Sequence, residues 1–139
     1  MKFSETLNTV IALAETIRDY WNVELPKRHP DYPWVHPGED SGPPPPEEKI
    51  LTDLLLGLPE EDIYKIALVK CVALGRFATD DLAGHYEEMK GMFGEPEEAV
   101  TLLVADASLA DYLTEGLAEL KKDRIDVDQL AFLSVNLPV

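Results

Sequence analysis

The sequence predicts an all-α fold, a compact bundle of six or seven helices with a long proline-rich loop after the first. Three observations carry this. Apolar residues recur at helical spacing, helix starts are marked again and again by proline or threonine followed by acids, and the alternation of a β-strand is nearly absent. With 139 residues the chain suits one domain, residues 1–139, large enough to bury a core.

The first helix is expected to open at Ser4, a good N-cap. Leu7, Val10, Ile11, Leu13, Ala14 and Ile17 then form one apolar stripe. Residues 23–46 follow as a proline-rich loop or arm, because eight of the eleven prolines fall within residues 25–49. The Pro43–Pro46 run should form a stiff polyproline II rod.

Next come the segments "PPEEKILTDLLLG", "LPEEDIYKIALVKCVALG", "TDDLAGHYEEMKG", "EPEEAVTLLVAD" and "ASLADYLTEGLAELKK". Proline tolerates the first helical position because its missing N–H has no partner there, and carboxylates suit the positive end of the helix dipole. Gly57, Gly75 and Gly91 stand where helices should stop. Residues 63–74 are apolar almost all round, with only Lys65 and Lys70 charged, which predicts the central helix. Leu54, Leu55, Leu82, Met89, Val100, Leu103, Leu109, Leu113 and Leu117 should close around it. In the apolar tail, residues 123–139, Asp126 is placed to cap a last short helix carrying Leu130, Phe132 and Leu133.

Two stretches, "ALVKCVALGRF" and "SLADYLTEGLAEL", resemble a bacterial family known only as a domain of unknown function. The matching positions are Leu74, Gly75 and Arg76, then Leu109, Asp111, Tyr112, Leu113, Glu115, Gly116 and Leu117. Phe77 stands where the family pattern has glycine, and the similarity covers about residues 58–120. The resemblance implies a helical fold and no assigned activity.

Charge and cysteine content narrow the function classes. The net charge is −15, from 27 acidic and 12 basic residues, which argues against nucleic acid and anionic membranes as partners. No run approaches the roughly 18 apolar residues of a membrane helix. The single cysteine, Cys71, excludes an internal disulfide framework and fits a reducing compartment, so a cytoplasmic location is expected. No nucleophile elbow, phosphate loop or dinucleotide fingerprint occurs, and the leaning is away from an enzyme and from any cofactor.

The arm holds the leading candidates, Trp21, Tyr32, Trp34 and His36. In one reading the aromatics pack on the bundle and pin an irregular segment. In the other they anchor a partner or a second subunit, and both hold if the arm crosses a homodimer interface. Asp81, His85 and Glu88, at i, i+4 and i+7 on one helix, could form half of a metal site, although the paired Glu-x-x-His motif of di-metal bundles is missing. Arg76, with Asp111 and Tyr112, either braces a turn or anchors a small anionic ligand. The reading favoured overall is a non-enzymatic interaction or regulatory module, expected to meet a protein partner or to form a homodimer through the arm and the apolar tail, with a metal- or small-anion-binding domain as the alternative.

Overall fold

The computed structural model describes residues 2–38, 42–75 and 79–130. Among them are six α-helices, two 3-10 turns and no strand. The helices are α1 (Phe3–Arg28), α2 (Pro46–Leu56), α3 (Glu60–Ala73), α4 (Leu82–Phe93), α5 (Pro96–Ala105) and α6 (Leu109–Lys122). The 3-10 turns are Thr79–Asp81 and Val127–Gln129.

On α1, Phe3, Leu7, Val10, Ala14 and Ile17 are buried, at spacings of four and three that keep one stripe facing inward. Ser4 is not its N-cap. Lys2 holds that position, and Ser4 lies in the first turn with its N–H and hydroxyl both given to Asp128. The helix also runs beyond Val23, where the loop was expected to begin. Pro26 sits in the last turn, where its ring costs a single backbone hydrogen bond, and the helix continues to Arg28. It stops at His29, whose backbone is extended (φ −127°, ψ 91°) because Pro30 follows and crowds the helical conformation.

The middle helices start as their sequences predict. Pro46 and Pro96 occupy first-turn positions, followed by Glu47 and Glu48 in α2 and by Glu97 and Glu98 in α5. Gly57 caps α2, and Gly75 (φ 74°) follows α3 in the left-handed conformation that favours glycine. Gly91 ends nothing. It lies inside α4, which stops at Gly94 (φ 77°).

Helix α3 is the centre of the bundle. It buries every residue from Ile63 to Val69, then Cys71 and Val72, with α4, α5 and α6 packed around it. Helix α1 lies against α2 and α6, and α2 against α5. Leu55, Met89, Val100, Leu103, Leu109 and Leu113 are buried as expected, while Leu54, Leu82 and Leu117 are half-buried against that core. At the α3–α6 crossing the approach is so close that a Cβ on Gly116 would lie 2.2 Å from the Val69 carbonyl oxygen.

The two lysines of the central helix are neutralised where they lie. Lys65, 6% exposed, stands 4.3 Å above the Phe3 ring, donates to the Leu130 carbonyl at 3.1 Å, and has Asp62 at 3.5 Å. Lys70 pairs with Asp106 at 2.6 Å. Asp126 caps as expected, though what it caps is the turn Val127–Gln129, through the Asp128 N–H. Phe132, Leu133 and the rest of the tail beyond Leu130 lie outside the described residues.

Candidate functional site

The arm begins where α1 ends and rejoins the bundle at α2. Its near end is fixed by His29, which is fully buried and whose backbone N–H donates to the Leu25 carbonyl at 2.9 Å. Two turns follow, closed by Tyr32 N–H to the His29 carbonyl and Trp34 N–H to the Asp31 carbonyl, each at 2.8 Å. The Tyr32–Pro33 peptide between them is cis. His36 Nε2 lies 2.7 Å from an Asp31 carboxylate oxygen, a side-chain brace across the same turns.

The far end is held separately. Pro45 is buried, and the Tyr20 hydroxyl donates to the Pro43 carbonyl at 2.9 Å. Gly42 (φ 79°) lies against the Arg28 guanidinium, which Glu24 holds from behind at 3.5 Å. A Cβ on Gly42 would come within 2.3 Å of that guanidinium carbon.

These fastenings replace the one expected from the aromatics. Trp34 is 74% exposed, Val35 53% and Tyr32 44%, so none of the three pins the arm. Of the aromatic candidates only Trp21 packs on the core, edge-on to Tyr20 with ring centroids 5.0 Å apart. Buried His29, buried Pro45 and the hydrogen bonds at both ends do the pinning, which leaves Tyr32 and Trp34 facing outward. The sequence carried no signal for His29 as the anchor, since a histidine between arginine and proline reads as a solvated loop residue.

Among the described residues the other candidates do not gather into a site. Asp81 turns back to accept the Gly84 N–H at 3.3 Å and so caps α4, as Asp does at many helix starts. His85 Nδ1 lies 3.9 Å from a Glu88 oxygen. Among the described residues no group of three or more His, Cys, Asp or Glu side chains could hold a metal ion. Arg76 lies outside the described residues. Asp111 is engaged by a different arginine, Arg18 of α1, at 2.8 Å, and Tyr112 is half-buried beside it in sequence.

Arg18 is the functional-looking residue that the sequence reading passed over. It is bonded to Asp19 at 3.2 Å and approached by Glu15 at 4.0 Å as well as by Asp111. The Asp19 hydrogen bond and these carboxylates hold its guanidinium above the usual arginine range. Beside it, α1, α2 and the α5–α6 junction enclose a cleft of about 230 Å³. Its floor is Ala14, Ile17, Leu51 and Leu109, with Trp21 and Glu48 among its walls.

No family model, curated protein or solved structure matches this chain. No helix among the described residues is long and apolar enough to cross a membrane.

Proposed function

We propose that this chain is a non-enzymatic protein-interaction module whose contact surface is the braced arm. The supporting observation is Trp34, a large apolar side chain 74% exposed on a segment tied down at both ends. Tryptophan is the side chain most often found as an interface anchor, and an anchor on a braced loop loses little freedom on binding. Tyr32 and Val35 are exposed on the same segment, and His36 braces its turns. The contact is made with another protein or with a second copy of this chain.

The test compares wild type with Trp34→Ala by light scattering across a concentration series and by affinity capture from the source cells. The expected result is an unchanged melting temperature together with loss of self-association or of the captured partner. A Trp34→Ala protein that melts several degrees lower, or that associates as wild type does, contradicts the proposal.

A further inference from the structure

We propose that the cleft between α1, α2 and the α5–α6 junction receives a basic side chain, an arginine, from the partner protein. The inference rests on the interaction reading and names the chemistry of its partner.

The cleft is small. Pockets that enclose small-molecule ligands run from about 300 to 1,000 Å³. At about 230 Å³ this cleft holds one long side chain.

Charge selects the kind of side chain. The Glu48 carboxylate, half-buried in the wall, enters no ion pair among the described residues. The Asp106 carboxylate also lines the cleft but is paired with Lys70 at 2.6 Å and adds no net charge. Arg18 also lines the cleft, but its charge is more than matched by Asp111, Asp19 and Glu15. The local balance is therefore negative, in a chain whose net charge is −15. A basic segment is attracted to such a surface over a distance.

The wall chemistry narrows the cation to a guanidinium. An arginine stem can lie on the apolar floor of Ile17, Leu51 and Leu109, its planar head stacking on Trp21 and forking onto Glu48. Stacking on a tryptophan face adds a cation–π attraction that a neutral side chain lacks.

The experiment uses the full chain carrying Trp34→Phe, so that Trp21 alone reports by fluorescence. The probes are a blocked peptide Gly-Leu-Arg-Arg-Leu-Gly and counterparts with citrulline or glutamate in place of arginine. Saturable binding of the arginine peptide is expected below millimolar concentration, weakened at least about tenfold by citrulline, by added salt and by Glu48→Gln. Circular dichroism of Glu48→Gln confirms that its fold is retained. No binding at millimolar peptide, equal binding of the citrulline peptide, or indifference to Glu48→Gln overturns the proposal. Preference for the glutamate peptide overturns it too and makes Arg18 an anion anchor. Because Trp34 is absent from the reporting protein, failure here is separate from failure of the arm.

Discussion

The carboxylate of Asp128 accepts two hydrogen bonds from Ser4, one from its backbone N–H and one from its hydroxyl, each at 2.8 Å. A residue 124 positions away thus does for α1 what a local N-cap does elsewhere, satisfying a donor of the first turn and placing a negative charge at the positive end of the helix. The bonds from Ser4 hold the Asp128 carboxyl below its ordinary value of 3.8. A carboxylate whose folded value is depressed stabilises the fold above its unfolded value, and that contribution disappears as pH falls through the folded one. Asp128→Ala should therefore melt about 2–5 °C below wild type at neutral pH. The gap should close in strongly acidic buffer, and equal melting at neutral pH would show that the clasp contributes nothing.

Gly116 and Gly91 should respond oppositely to the same change. An alanine inside a helix normally gains about 1 kcal/mol over glycine. At Gly116 the new methyl would stand 2.2 Å from the Val69 carbonyl oxygen, a backbone atom that cannot rotate aside, so α3 and α6 must separate. Overpacking of that kind costs about 1–3 kcal/mol or more, which outweighs the propensity gain. At Gly91 nothing lies within 4 Å of the added carbon, and the gain stands alone. Urea denaturation should place Gly116→Ala below wild type and Gly91→Ala above it by about 0.5–1 kcal/mol.

Tyr64 and Tyr86 pack edge to face, ring centroids 6.2 Å apart, between α3 and α4. Burial, the leading cause, and then nearby glutamates push both phenols above the ordinary tyrosine value of 10.0. Groups raised in this way stabilise the fold below their unfolded value and lose that contribution as pH rises past it. Ultraviolet absorbance during an alkaline titration should therefore show two tyrosines ionising only as the helical signal is lost. Smooth ionisation of all five near pH 10.0 in a folded protein would mean that these two rings are open to water.

The bundle was legible in the sequence because each helix carries its own punctuation. The nearly charge-free run of residues 63–74 marked the centre, and Pro46, Pro59 and Pro96 marked three starts. What depended on partners far along the chain was not legible. Ser4 looked like a cap because the residue that bonds it, Asp128, is remote in sequence. Pro26 looked like a breaker because local chemistry does not reveal how many turns of α1 already pack on the core before it. The tryptophans looked alike, yet Trp21 on α1 lines a cleft of the bundle, while Trp34 stands in solvent on an arm whose ends hold buried His29 and Pro45. Arg18 could have been noticed, since Glu15 and Asp19 flank it on the helix, but its tie to Asp111 could not.

Collisional quenching of single-tryptophan proteins probes the arm most directly. Trp21→Phe leaves Trp34 as the reporter, and Trp34→Phe leaves Trp21. In dilute solution, acrylamide should quench Trp34 nearly as efficiently as a free indole and Trp21 far less. Addition of the partner, or concentration into the self-associated form, should then shield Trp34. Weak quenching of Trp34 in the isolated chain, or quenching that stays the same in the complex, contradicts a contact surface built on that side chain.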